Sequence, residues 1–232
     1  MPAKVLSIVI PAYNEARFIG TLLQQIAAVD LEPLGMRKEI IVVDDHSSDE
    51  TADIARAVAG VIVKRLDRNG GKGGAVRTGI ELATGDLLII QDADLEYDPQ
   101  DYVPMVKALL DGRADIVYGS RYMRGGRHPN QTWTAYLGGR SLSVVARVAT
   151  GAWLTDTVTA LKLFPRHVIT SLTLTTSGFE LDHEITAKVL ARGCRIVEVP
   201  VSYSPRSKAE GKKIGLRDWF IGTRTFFRFR KG

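Results

Sequence analysis

The chain has 232 residues, 45% hydrophobic and 25% charged, proportions that suit a globular protein with a real core, as one large domain more readily than two small ones. A single cysteine, Cys194, excludes an internal disulfide framework, and with four scattered histidines it makes no zinc-ligating pattern, so a reducing compartment is the default. The net charge of +5 is uneven: from Pro205 onward nine Lys or Arg face two acids, a surplus of seven, and the preceding residues sum to −2. A near-neutral body with a basic, aromatic end calls for an anionic partner.

The opening "MPAKVLSIVIPAYNE" has too short an apolar run before Pro11 for a secretory signal, and nowhere do about 18 apolar residues follow one another, so no membrane-spanning helix is expected. "VLSIVI" reads as a strand. Asn14 stands at the N-cap position of a helix carrying Phe18, Leu22, Leu23 and Ile26 on one face. A second strand, "EIIVVDD", leads to Ser47 and Glu50 at capping-box spacing before "DETADIARAVAG". The strand "VIVKRL", the turn "NGGKGG", the helix "AVRTGIELATG" and the strand "LLIIQD" follow. "DYVPMVKALLDG" is mostly helix with Pro104 in its first turn or kinking it, and "ADIVYGSRY" closes the series.

Continuous apolar strands separated by helices of 10–15 residues predict βαβ units and a mostly parallel sheet covered on both faces. The second half is less regular: "GGRSLSVVARVATG", a strand around "TALKLF", the helix "LDHEITAKVLARG" and the strand "RIVEVPVSY" extend the same domain.

In open parallel sheets, ligands sit beyond the carboxyl ends of the strands. Tyr13, Asn14 and Glu15 fall there after the first strand, Asp44 and Asp45 after the second, and Asp92, Asp94 and Glu96 after "LLII". Carboxylates crowded into a desolvated corner either share protons or hold a cation. Hard oxygen groups without His or Cys point to Mg²⁺ or Mn²⁺, completed by substrate phosphates and water. Solvated loops and helix caps are the competing reading, strongest for Asp98 before Pro99 and nearly even for Asp45, Ser47 and Asp49. A receiver-type phosphorylation pocket would also read "VVDDHSSD", but leaves the second acidic cluster and the long second half unexplained. "NGGKGG" either cradles a phosphate, with Lys72 as counter-charge, or is an ordinary glycine turn; it is neither a P-loop nor a dinucleotide fingerprint.

"SIVIPAYNE", "IIVVDDHSSDETADIA", "NGGKGGAVRTGIELATGDLLIIQDADLEYDP", "VYGSRY", "LTDTVTALKLF", "GFELDHEITAKVLARGCRIVEVPVSYSPR" and "EGKK" arrive in the order, and over the span 5–215, that resembles family 2 glycosyltransferases. Within them the chain is most similar to the polyprenyl-phosphate (dolichol-phosphate) mannosyl- and glucosyltransferases. The resemblance implies an α/β GT-A fold with a mostly parallel, Rossmann-like sheet flanked by helices. It divides the chain into a domain over 1–215, with a nucleotide-sugar half (1–120) and an acceptor half (121–215), and a basic, aromatic, amphipathic tail over 216–232.

It further implies inverting transfer of a hexose from a nucleotide-diphospho-sugar, such as GDP-mannose or UDP-glucose, to a lipid phosphate such as polyprenyl or dolichol phosphate. By that resemblance Pro11, Tyr13, Glu15 and Asp44 or Asp45 hold the nucleoside, and Lys72, Asp92 and Ala93 lie near base, ribose or sugar. Asp94 binds the dication, with Glu96 in the second ligand position, where mannosyl members often carry Gln.

A phosphate acceptor needs cations rather than a strong base. Arg121, Arg140, Arg206, Lys208 and Lys212 are the candidates, with Arg206 matching the family's acceptor-phosphate arginine and Asp94, Arg121 and Arg206 forming the catalytic set. A solvated basic loop is the competing reading for Arg206. A sugar-hydroxyl acceptor would need a carboxylate base. Glu180 and Asp182 remain open as sugar-donor or acceptor contacts, while Glu184, paired at i,i+4 with Lys188, reads as surface charge. The rival class is a non-catalytic nucleotide-sugar- or lipid-binding module that kept the fold.

"LRDWFIGTRTFFRFRKG" mixes aromatics with arginines, which suits an anionic membrane surface, although core packing explains some of the same positions. No nucleic-acid recognition module is present. A peripheral enzyme on the cytoplasmic face of a membrane is expected.

Overall fold

The computed structural model describes residues 4–123, 125–206 and 216–231. Strand β1 (Lys4–Ala12) leads to helix α1 (Ala16–Ala28), β2 (Met36–Asp44), α2 (Thr51–Arg56), β3 (Val61–Arg65), α3 (Gly71–Leu82), β4 (Leu87–Ile90) and α4 (Tyr102–Leu110). Then come β5 (Ile116–Ser120), α5 (Trp133–Thr150), β6 (Lys162–Pro165), α6 (Arg166–Thr170), α7 (Leu181–Ala191), β7 (Ile196–Pro200) and α8 (Leu216–Phe229). Seven strands form one sheet in the order β3-β2-β1-β4-β6-β5-β7. All pairings are parallel except those of β6, which runs antiparallel between β4 and β5. Because β6 joins β4 of the first half to β5, the two predicted halves share one sheet in a single α/β domain, as expected.

Alternation along β1 sorts the core into two layers. Leu6, Ile8 and Ile10 face Ile19, Leu22, Leu23 and Ile26 of α1 and the apolar face of α4. Val9 faces the other way, among Val76 and Ile80 of α3 and Ile185 and Val189 of α7. Each such fully buried aliphatic side chain stabilises the fold by roughly 1.5–3 kcal/mol. Pro104 lies within the first turn of α4, where its missing N–H costs no helical hydrogen bond. Asp98 caps the short 3₁₀ turn before α4, its side chain accepting from the Gln100 N–H, so the capping reading of that acid holds.

Two local expectations differ. Helix α2 begins at Thr51 without a Ser47–Glu50 box: Ser47 accepts from the Asn14 N–H at 2.9 Å instead, and Asp49 takes the Thr51 N–H at 3.0 Å. Asn14 is not a cap either. It sits at φ 56, tolerable for Asn, and its side-chain oxygen accepts from the Ser48 N–H. The β1–α1 and β2–α2 loops are thus stitched to each other.

The basic C-terminal helix is docked on the domain. Phe226 and Phe229 of α8 pack with Ala146 of α5 and Ala187 of α7, and the Trp219 indole donates to the Ser141 hydroxyl at 2.8 Å.

Candidate active site

The carboxyl ends of β1, β2 and β4 open on one corner, and among the described residues Arg206 touches three of its acids. The Arg206 guanidinium lies 2.8 Å from Asp94 and 3.3 Å from Glu15, and the Arg206 backbone N–H donates to Glu96 at 2.8 Å. Phe18 of α1 lies beneath that guanidinium, its ring centre 5.5 Å away. Leu95 at φ 58 turns the backbone sharply between Asp94 and Glu96, and Asp94 accepts from the Glu96 N–H. Burial, then the charges of Asp92 and Glu96, push the Asp94 carboxyl up to about 7, with Arg206 opposing. A carboxylate there gains from a nearby cation.

The predicted metal fits these residues. Among the described residues no three His, Cys, Asp or Glu stand in ligating geometry. A Mg²⁺ or Mn²⁺ ion, however, needs only one or two carboxylates when a diphosphate supplies the remaining oxygens. Asp94 and Glu96 would hold it, in a corner whose acids already gather around a positive group.

Asp44 is fully buried, paired with Arg65 at 3.3 Å and accepting from the Ser47 N–H. Asp45 accepts from the Gly70 N–H at 2.6 Å, and burial raises its carboxyl. Both acids therefore anchor the loops that border the corner. Pro11 pairs with Val43 along the strands, Tyr13 stands exposed beyond them, and Ala93 is packed in the core behind Asp94.

The "NGGKGG" turn departs from a phosphate cradle. The Gly70 N–H goes to Asp45 and the Gly73 N–H to the Ser177 carbonyl at 2.7 Å. A Cβ on Gly71 or Gly73 would collide with the backbone carbonyls of Ser177 and Thr176, so these glycines admit the 174–178 loop at close range. Lys72 alone points into the corner, 2.8 Å from Asp92.

Beyond Glu96, Arg121 is held bidentately by fully buried Asp156, at 2.6 and 2.7 Å, and its guanidinium lies against the rings of Tyr203 and Tyr122, 5.0 and 5.3 Å from their centres. Arg140 donates to the Thr155 carbonyl at 2.8 Å and reaches the same Tyr122 ring at 5.6 Å. Both predicted arginines therefore converge on Tyr122. Tyr203 joins the two sides, its hydroxyl donating to Glu96 at 2.7 Å. Sequence reading missed Tyr203, although it lies three residues before Arg206 in "YSPR".

Glu180 precedes α7 and accepts from the Gly178 N–H, whereas Asp182 is buried between Lys72 at 3.2 Å and Lys162 at 2.7 Å. Those two ammonium groups hold the Asp182 carboxyl down at about 2 despite burial. Lys208 and Lys212 lie outside the described residues.

Glu184 is not surface charge. It pairs with Lys188 as its spacing predicts, at 2.6 Å, but both are buried, and Glu184 also accepts the backbone N–H and hydroxyl groups of Thr175 and Thr176. These contacts hold its carboxyl at about 2.

Residues 7–168 match the family model described as glycosyl transferase family 2. Over 214 residues the chain is 31% identical to the dolichol-phosphate mannosyltransferase of Pyrococcus furiosus, covering 90% of this chain and 59% of that protein. It is 30% identical to the undecaprenyl-phosphate 4-deoxy-4-formamido-L-arabinose transferase of Aeromonas hydrophila, covering 90% and 63%. The chain thus spans about three-fifths of the length of these curated relatives. The crystal structure of Mycobacterium tuberculosis glucosyl-3-phosphoglycerate synthase with Mn²⁺ and UDP-glucose superposes with a TM-score of 0.69 at 22% identity, covering 95% of this chain and 76% of that one. Motif order, sheet topology and family match agree, and the chain belongs to glycosyl transferase family 2.

Proposed function

We propose that the chain is a metal-dependent, inverting glycosyltransferase that moves a hexose from a nucleotide-diphospho-sugar to a lipid phosphate such as polyprenyl phosphate. The observation that carries this reading is the gathering of Glu15, Asp94 and Glu96 around Arg206: one cluster of acids suited to a dication, bridged by an arginine suited to a phosphate. The two curated relatives carry dolichol phosphate and undecaprenyl phosphate in their names, and the fold relative was crystallised with Mn²⁺ and a nucleotide-sugar.

When bound, the dication neutralises the leaving diphosphate as a Lewis acid. The chain's own residues do the rest. Asp44 and Asp45 fix the loops around the nucleoside, and Lys72 with Asp92 orients the sugar end. Arg206, with Arg121 and Arg140 behind Tyr203 and Tyr122, draws the anionic acceptor oxygen toward the anomeric carbon. A phosphate monoester is already ionised near neutral pH, so no general base is needed. Of the two carboxylates offered as base for a sugar hydroxyl, Asp182 is a poor proton acceptor, locked between two lysines at about 2.

Helices α5 and α8 supply the surface for a lipid substrate. Trp133, Leu137, Val144 and Val148 form an exposed stripe along α5, Val148 at 72% exposure. On α8, Phe220 and Phe227 stand out between Arg217, Arg224 and Arg228, opposite the face that docks. Basic groups among large apolar ones suit an anionic interface. No helix of the described residues is long and apolar enough to cross a membrane.

The test is incubation with a panel of nucleotide-sugars, Mn²⁺ or Mg²⁺ and vesicles carrying polyprenyl phosphate. Release of nucleoside diphosphate that requires the lipid phosphate supports the reading. Turnover only with a sugar or glycolipid acceptor, or binding of the nucleotide-sugar without turnover on any acceptor, refutes it.

A further inference from the structure

A lysine buried at the start of a core strand is costly unless something in the fold requires its charge. Lys162, in "TALKLF", lies on β6 between β4 and β5 and is fully buried. An aliphatic residue would satisfy the strand pattern there. Its ammonium instead donates to Asp182 at 2.7 Å and to the Thr159 carbonyl at 2.5 Å, above the Tyr118 ring. The second Asp182 oxygen reaches Lys72 at 3.2 Å, and Lys72 reaches Asp92 at 2.8 Å. Charges of alternating sign therefore run from the centre of the sheet to the sugar-donor corner: Lys162, Asp182, Lys72, Asp92.

We propose that Lys162 is a positioning residue for the sugar-donor site, acting through Asp182 to set where Lys72 holds its ammonium beside Asp92. Asp182 is shared between two cations. Lys162 keeps one carboxylate oxygen turned toward the core, so Lys72 is not drawn down into it and stays closer to Asp92 than to Asp182. Without Lys162 the whole carboxylate is free for Lys72, and the ammonium retreats from the corner.

The same helix also fixes the backbone of that turn. Glu184, two residues after Asp182 on α7, accepts from Thr175 and Thr176, and the next residue, Ser177, takes the Gly73 N–H. Helix α7 thus sets both the main chain around Lys72 and the charge beneath its side chain. Lys72 itself is only slightly exposed, which leaves it little freedom to find the same place unaided.

The inference rests on the transferase reading above, and a double-mutant cycle separates the two. UDP and GDP, each with Mn²⁺, serve as calorimetric probes of the wild type, Lys162→Met, Lys72→Met and the double variant. The loss of affinity caused by Lys162→Met is expected to be about tenfold with Lys72 present and under about twofold in the Lys72→Met background, the non-additivity of residues that act through one another. In turnover, Lys162→Met is expected to raise the KM for the nucleotide-sugar about tenfold and to leave the acceptor KM unchanged.

Equal losses in both backgrounds, or parallel losses in both KM values, mean that Lys162 only supports the fold, and overturn the proposal. If Lys162→Met does not fold, Lys162→Gln, uncharged and still able to donate to Asp182, carries the same cycle with the same two outcomes. A wild type that binds neither UDP nor GDP overturns the transferase reading itself, and this inference with it.

Discussion

Arg206 holds Asp94 at 2.8 Å although 112 positions separate them in the chain, and the pair closes the corner where the first, second and fourth strands end. Its guanidinium, also against Glu15, is the positive group that lets these acids lie together. Arg206→Gln removes the charge and draws the side chain back from Asp94 while keeping a polar end. Turnover is expected to fall about 10²–10³-fold, the usual cost of losing a charged group that stabilises a transition state. Thermal stabilisation by Mn²⁺ is expected to exceed that of the wild type, because the guanidinium no longer competes with the metal for Asp94. Steady-state kinetics and a melting series with and without Mn²⁺ check both parts.

His183 makes the fold sensitive to acid. The ring is buried on α7 against Phe226, 5.0 Å away, and against Gly222 of α8, where a Cβ would come within 2.7 Å of Nε2. Among the described residues neither ring nitrogen makes a hydrogen bond of regular geometry. Burial depresses its pKa to about 4, outweighing the attraction of Asp182, while Lys162 adds to the depression. Since the unfolded chain binds this proton first, the stability it contributes is complete above pH 6.5 and is lost as pH falls toward 4. At pH 5 the loss is about 2 kcal/mol. Urea titrations at pH 7 and pH 5 should show that difference in the wild type and most of it abolished in His183→Leu.

Glu184→Gln tests the reading of that residue as a buried anchor rather than surface charge. It leaves Lys188 without its anion and weakens the hold on Thr175 and Thr176. Denaturant unfolding should register a loss of about 3 kcal/mol, the scale for breaking a buried ion pair. A loss below about 0.5 kcal/mol, the range for exposed i,i+4 pairs, would return the residue to the surface.

Much of the fold is legible in the sequence, because β1 through β5 each carry an apolar run long enough to be a strand and the helices between them are amphipathic. What escapes the sequence is whatever depends on contacts across it. Glu184 and Lys188 have the spacing of a surface pair, but the 174–176 loop lies over them and turns the pair inward. Ser47 has the spacing of a cap, yet Asn14 reaches its hydroxyl first. The glycines around Lys72 resemble a phosphate loop and serve the approach of another loop. The acids of the corner are marked by the strand ends, whereas Arg206 is singled out only through resemblance to a family, since no local pattern ties residue 206 to residues 15, 94 and 96. Lys162 carried no signal, because its partner Asp182 lies 20 residues on, in a different element.

The exposed stripes of α5 and α8 predict a salt-sensitive attachment to anionic vesicles. Val148→Asp and Phe220→Ser lie away from the acid corner and from the docked face of α8. Together they are expected to lower vesicle binding about tenfold in sedimentation assays, with turnover on a short, water-soluble lipid phosphate unchanged. Equal binding by the variant and the wild type would remove these helices from the interface.

Manganese anomalous scattering from crystals grown with a nucleoside diphosphate tests the account most directly. A peak within about 2–2.5 Å of a carboxylate oxygen of Asp94, bridging to the diphosphate, is the predicted result. Diphosphate bound in the corner with no manganese beside Asp94, or manganese bound elsewhere on the chain, would contradict it.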